Sequence, residues 1–212
     1  MKKFSVLFLL ILLTAFVSVQ KKKRIIFFGD SITQAAITPG GFILKIDSML
    51  KKSNNDNYEL IGAGVSGNKV YDLYLRMEDD VMNKNPDVVL IYIGVNDVWH
   101  KSSSGTGTDA DKFEKFYNAI LKKLYDKNIK AILCTPAAIG EKNDYTNMQD
   151  GDLNKYSAII RNIAAKNNLP LIDLIIIFLD YNLKHNPENK DSVIFTKDEV
   201  HLNEKGNQLV AE

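Results

Sequence analysis

From Arg24 onward, short runs of Ile, Val and Leu take turns with longer stretches whose apolar residues recur every three or four positions. No other feature restricts the fold as much. The short runs are Ile25 to Phe28, Leu60 to Gly64, Val88 to Gly94, Ile129 to Thr135 and Leu169 to Leu174. Few polar residues alternate within them, so each reads as a strand covered on both faces, as in a parallel sheet. Between them, residues 42–52, 70–85, 111–128 and 153–167 have helical spacing. In the third, Phe113, Phe116, Tyr117, Ile120, Leu121 and Leu124 form one apolar stripe, which reads as core. Asn85-Pro86 and Leu169-Pro170 punctuate joins between helix and strand. No internal repeat or domain linker interrupts the series, and the expectation is one α/β domain over residues 21–212. It is a three-layer α/β/α domain, an open five-stranded parallel sheet with helices on both faces.

Such a sheet gives its site an address. Ligands bind outside the carboxyl ends of the strands, at the point where strand order reverses, which for order 2-1-3-4-5 lies between strands 1 and 3. The residues at that edge are Gly29-Asp30-Ser31-Ile32 after strand 1, Gly64-Val65-Ser66-Gly67-Asn68 after strand 2, and Gly94-Val95-Asn96-Asp97 after strand 3. Taken singly, each is an ordinary turn sequence. Taken together they end three successive strands at one edge, and Asp198-Glu199-Val200-His201 adds an acid and a base near the C-terminus.

These four motifs, in this order and approximate spacing, resemble the GDSL or SGNH hydrolases, serine esterases and acylhydrolases on a flavodoxin-like three-layer fold. The resemblance covers nearly all of residues 24–212. It implies that Ser31 is the nucleophile and His201 the general base, with Asp198 orienting the imidazole. It also implies an oxyanion hole built from Ser31, Gly64 and Asn96. The residue types suit the chemistry. A serine hydroxyl attacks poorly until an imidazole takes its proton, and an imidazole with an ordinary pKa near 6.5 is largely neutral at pH 7. A carboxylate on the other ring nitrogen fixes the tautomer. Two departures from the family pattern are visible: Ile32 stands where the family name has leucine, and Gly62 stands where many relatives have asparagine.

The neighbours carry weaker expectations. Asp30 and Asp97 read as turn-holding residues. Trp99 and His100 follow strand 3 on the site edge and are candidates for the wall of a substrate pocket, equally readable as a partly exposed pair. Residues 101–109 and 137–152 leave the same edge and are the natural specificity loops.

Composition narrows the partners. A net charge of +1 lacks the basic footprint of a nucleic-acid binder. Cys134 is the single cysteine and has no bridging partner, and three scattered histidines show no metal-ligand spacing. No cofactor and no metal is expected. Residues 1–20 read as a secretory signal: Lys2 and Lys3, then an apolar run from Phe4 to Val19 that falls short of the roughly 20 residues of a comfortable membrane span. Against export stands the basic run Lys21 to Arg24, which favours a retained anchor. The resulting expectation is a secreted or periplasmic esterase acting on a small-molecule or glycan ester, with short acyl groups on sugars the leading substrate class. A lysophospholipase or thioesterase, and a non-catalytic carbohydrate-binding protein on the same fold, are the competing readings. Oligomeric state is not legible.

Overall fold

The computed structural model describes residues 21–144 and 146–212. The signal segment expected over residues 1–20 lies outside the described residues. The five strands are β1 (Lys23–Gly29), β2 (Tyr58–Gly64), β3 (Val88–Tyr92), β4 (Lys130–Cys134) and β5 (Leu171–Ile172). All neighbours are parallel, in the order β2-β1-β3-β4-β5. Strand order therefore reverses between β1 and β3, as expected.

The strands are buried from both sides. In β1, the consecutive Ile26, Phe27 and Phe28 are all buried, although successive side chains of a strand point to opposite faces. One group of helices contains α3 (Val70–Asp80), α4 (Val95–Ser103), α5 (Ala110–Asp126) and α6 (Asp150–Lys166), packed on one another. A second contains α2 (Phe42–Lys52), α7 (Leu174–His185) and α8 (Glu204–Ala211). The short α1 (Ser31–Ala35) leaves β1 and packs against β2. On α5, Phe113, Tyr117, Ile120, Leu121 and Leu124 face the core. Phe116, at the margin of that stripe, is partly buried against the core and also packs against Tyr71 and Tyr74 of α3.

Two parts of the sequence reading change. The apolar run Leu169 to Leu174 yields only a two-residue strand. Asp173 stops it, because its carboxylate accepts two hydrogen bonds from Arg161, at 2.7 and 2.9 Å, and one from the Thr135 hydroxyl at 3.0 Å. The chain turns there into α7. The segment after β3 is the second change. Asn96, Asp97, Trp99 and His100 lie on a helix, α4, and not on a loop.

Register is what the fold contributes to the site. Gly29, the last residue of β1, pairs with Gly64 of β2 on one side and with Tyr92 of β3 on the other. Three strands therefore end level, and whatever follows them shares one edge.

Candidate active site

Ser31 follows that edge directly. Asp30 caps α1, its carboxylate accepting the Ile32 N–H at 3.0 Å, so Ser31 is held as the first residue of the helix. Its Oγ lies 2.9 Å from His201 Nε2. The other ring nitrogen of His201, Nδ1, lies 2.8 Å from Asp198 Oδ2. Asp198 Oδ1 accepts the backbone N–H of His201 at 2.8 Å and that of Val200 at 3.3 Å. The Asp198 carboxyl is drawn up by its partial burial. It is drawn down further by those backbone bonds and by the imidazole, which together hold it below the usual carboxylate range. Hydroxyl, imidazole and carboxylate thus form one line, and a hydroxyl so placed can pass its proton to the ring as it attacks a carbonyl carbon.

The segment carrying Asp198 and His201 is a closed turn. Thr196 and Leu202 form an antiparallel bridge, and Lys197 N–H donates to the His201 carbonyl at 2.7 Å. Beyond it, Asn203 caps α8, accepting the Gly206 N–H at 3.0 Å and donating to the carbonyls of Val193 and Thr196.

Asn96 sits in the first turn of α4, at the same strand edge, and is 1% exposed. Its Nδ2 donates to the Asn68 carbonyl at 3.1 Å, which fixes the amide plane, and among the described residues its second hydrogen has no acceptor. Asn68 is itself held by Arg76 of α3, whose Nε donates to Asn68 Oδ1 at 2.6 Å. The same guanidinium donates from Nη2 to the carbonyls of Gly29 and Ala63, at 2.6 and 3.0 Å, and lies over the Phe28 ring. Arg76 therefore ties the ends of β1 and β2 to the turn that orients Asn96. Nothing in the sequence pattern singles it out.

Gly64 has a different place from the one the resemblance implies. A side-chain carbon there would lie 2.1 Å from the Gln34 nitrogen and 2.6 Å from the Asp30 carbonyl oxygen. The absent side chain lets β2 press against the first turn of α1. Val65 N–H bonds the Gly29 carbonyl, and N–H groups alternate sides along a strand, so the Gly64 N–H is directed away from β1. The uncrowded glycine after β2 is Gly67. It has φ +75°, and the nearest atom to a side-chain carbon placed on it is His100 Cε1 at 3.9 Å. Among the described residues neither the Ser31 nor the Gly67 N–H has an acceptor.

Trp99 and His100 line the same edge. The Trp99 ring meets the His201 ring edge-on at 6.4 Å and the His100 ring at 5.3 Å. His100 is drawn below its ordinary pKa by burial, with a smaller push from the Lys69 charge. Asp30 and Asp97 are buried, and neither carboxylate bonds Ser31 or His201. Asp97 accepts the Val70 N–H, fastening α4 to the start of α3. His185 pairs with Tyr181, stacked at 3.9 Å, away from these groups. A concavity of about 850 Å³ between Val88, Leu121, Tyr125 and Lys130 lies at the opposite, amino-terminal end of the sheet and contains none of the site residues.

Residues 27–209 match the model of the GDSL-like lipase/acylhydrolase family. The crystal structure of an acetyl xylan esterase, AlAXEase, is 65% identical in sequence and superposes with a TM-score of 0.87, covering 89% of this chain and 96% of that one. An acetylxylan esterase of Geobacillus stearothermophilus is 29% identical over 167 residues, 71% of this chain and 75% of the relative. An uncharacterized lipoprotein of Bacillus subtilis (strain 168) is 26% identical over 192 residues, 82% and 79% of the two chains.

Proposed function

We propose a mechanism and a substrate class for this chain, which belongs to the GDSL-like lipase/acylhydrolase family and is a carboxylic ester hydrolase. Ser31 attacks the ester carbonyl while His201 Nε2 takes the hydroxyl proton. Asp198 keeps the imidazole in the tautomer whose Nε2 can accept and steadies the imidazolium that forms. The alcohol leaves with the proton from His201, and the acyl group remains on Ser31 Oγ. Water then repeats the sequence, releasing the carboxylic acid and restoring the hydroxyl. The negative oxygen of each tetrahedral intermediate is met by the Ser31 N–H, the Gly67 N–H and the Asn96 amide. Gly67 takes the place first assigned to Gly64, because Gly67 is uncrowded and Gly64 is closed against α1. The observation that carries the reading is the 2.9 Å approach of Ser31 Oγ to His201 Nε2, continued at 2.8 Å to Asp198.

The substrate is an acetyl ester on a carbohydrate, of the acetylated xylan kind. Support comes from the 65% identity to an acetyl xylan esterase over most of both chains. Trp99 beside His201 supplies an apolar, flat surface of the sort on which a sugar ring can lie. The chain acts after export, its apolar segment from Phe4 to Val19 serving as the signal. Among the described residues no helix is long and apolar enough to cross a membrane.

Treatment with a fluorophosphonate followed by peptide mass spectrometry is expected to place the adduct on Ser31, and Ser31→Ala is expected to be inactive. An adduct elsewhere, or an active Ser31→Ala protein, overturns the mechanism. A series of p-nitrophenyl esters should peak at acetate, with acetate released from acetylated xylo-oligosaccharides. A preference for long acyl chains would replace the substrate class with a lipid-type ester. N-terminal sequencing of protein recovered from the medium tests the cleaved signal.

A further inference from the structure

We infer that Glu141 is a positioning residue for the Asp198–His201 pair, holding from beneath the segment that presents both. The inference rests on the roles given above to Ser31, His201 and Asp198. Glu141 lies in the stretch after β4 that reads in sequence as a specificity loop, yet it is 1% exposed. Its carboxylate collects four donors from three consecutive residues. Oε2 accepts the Ile194 N–H at 2.8 Å. Oε1 accepts the Phe195 N–H at 3.0 Å and both the N–H and the hydroxyl of Thr196 at 2.6 Å. Among the described residues no lysine or arginine pairs with it.

A buried carboxylate is costly unless its oxygens are satisfied, and here backbone dipoles satisfy them. The consequence falls on the chain that supplies those dipoles. Ile194 to Thr196 can sit in only one way, with their N–H groups converging on one side chain. Thr196 is also the residue that bridges to Leu202 and closes the turn holding Asp198 and His201. The top of the turn is fastened from the same stretch, since Gly140 N–H donates to the Glu199 carbonyl at 2.8 Å. Glu199 has φ +74°, a conformation a non-glycine residue keeps only when its surroundings enforce it.

Glu141 is itself immobilised. Its N–H donates to the Asp191 carbonyl at 2.9 Å, and its carbonyl accepts from the side-chain amides of Asn182 and Asn186. A rigid line thus runs from α7 through Glu141 to the turn. Imidazole placement is the quantity it controls, and a misplacement of about 1 Å can cost roughly a hundredfold in rate.

The test is Glu141→Gln beside Thr196→Val, Thr196→Ser and Ser31→Ala, with activity expressed per folded molecule. An amide keeps the volume but turns at least one of the four donors toward another donor. Expected for Glu141→Gln are a fall of about tenfold or more in kcat with KM within about twofold, a parallel fall in the rate of Ser31 phosphonylation, and loss or broadening of the downfield proton resonance of His201 Nδ1–H. Thr196→Val should show the same pattern more weakly, and Thr196→Ser, which keeps the hydroxyl, should restore wild-type kcat. An unchanged kcat, labelling rate and imidazole proton in folded Glu141→Gln overturns the inference. Should that variant not fold, equal kcat in Thr196→Val and Thr196→Ser overturns it. Full activity in Ser31→Ala overturns the mechanism on which it rests, whereas an inactive Ser31→Ala beside an unaffected Glu141→Gln overturns the inference alone.

Discussion

Ser31 and His201 stand 170 residues apart in the chain, and their Oγ and Nε2 atoms meet at 2.9 Å. Sheet order and register produce that meeting. β1 ends level with β2 and β3 beside the point of reversal, and the return from α7 to α8 crosses the same edge. The hydroxyl is fixed by a helix cap and the imidazole by a turn, so each half of the pair is built locally and only their approach depends on the whole fold.

In the proposed mechanism Asp198 acts through the imidazole, so its loss should be felt in turnover more than in binding. For Asp198→Asn the expected fall in kcat is about 10²- to 10⁴-fold with little change in KM, the upper end being the cost of the wrong tautomer in a fully buried triad. The lower end is included because the Asp198 side chain is 55% exposed and water can partly replace it. Steady-state kinetics on p-nitrophenyl acetate provide the check. A rise in KM with kcat unchanged would mean that Asp198 contacts substrate and leaves the imidazole alone.

Asn96→Ala removes an amide that, in the proposed mechanism, donates to the developing oxyanion. Loss of one such donor costs about 10² to 10³ in kcat. Asn68, whose carbonyl Asn96 engages, remains tied to Arg76, so the fold should persist and the melting temperature should shift by only a few degrees. An activity loss that merely tracks a loss of folded protein would contradict the assignment.

Gly64→Ala and Gly67→Ala should fail in different ways. At Gly64 the new carbon would lie 2.1 Å from a backbone nitrogen of α1, with no flexible side chain to give way. The expected result is a severe loss of stability, of order several kcal/mol, as over-packing against a rigid wall produces. At Gly67 the carbon meets only His100 Cε1, at an unstrained 3.9 Å, and the cost is the left-handed backbone, about 1–2 kcal/mol. Gly67→Ala should therefore fold and lose turnover through a displaced N–H. Urea melts and kcat measured together separate the two outcomes. A stable Gly64→Ala with reduced kcat would restore Gly64 as the oxyanion donor.

The sheet and the ordered motifs were legible because their signals are local. An unbroken apolar run such as Ile25 to Phe28 announces a doubly covered strand, and Asp198-x-x-His201 announces an acid and a base within one turn. The family resemblance then joined motifs that no local rule could join. What stayed hidden depends on burial that sequence does not display. Glu141 stands in the polar run Glu141-Lys142-Asn143-Asp144, where a carboxylate ordinarily faces water. Arg76 stands on an amphipathic helix with acidic neighbours and reads as solvated surface. Gly64 and Gly67 are indistinguishable as letters, and only the proximity of α1 to one of them tells them apart. Helix α7 is not legible in the sequence, because Leu174 to Phe178 continues the apolar run of β5 and periodicity does not separate a buried strand from the start of a buried helix.

Asp30 and Asp97 make stability depend on pH in the direction opposite to that of an ordinary salt-bridged acid. Burial pushes each carboxyl up to about 7, with a smaller contribution to Asp30 from the nearby Asp97. In the unfolded chain both return to about 3.9. Below about pH 4 both states hold the protons and the contribution to stability is fully present. Between about pH 4 and 7 the unfolded state gives up protons that the folded state keeps, so stability is lost as pH rises. Asp198 runs the other way: held below its usual range, it stabilises above the unfolded value, and that contribution is lost as pH falls through the folded one. Asp97→Asn removes one titrating group while its side-chain oxygen can still accept the Val70 N–H. The variant should match wild type near pH 4 and become the more stable protein, by a few kcal/mol at most, as pH approaches 8. Thermal melts from pH 4 to 8 decide the matter, because parallel curves for the two proteins would mean that Asp97 is ionised in the fold despite its burial.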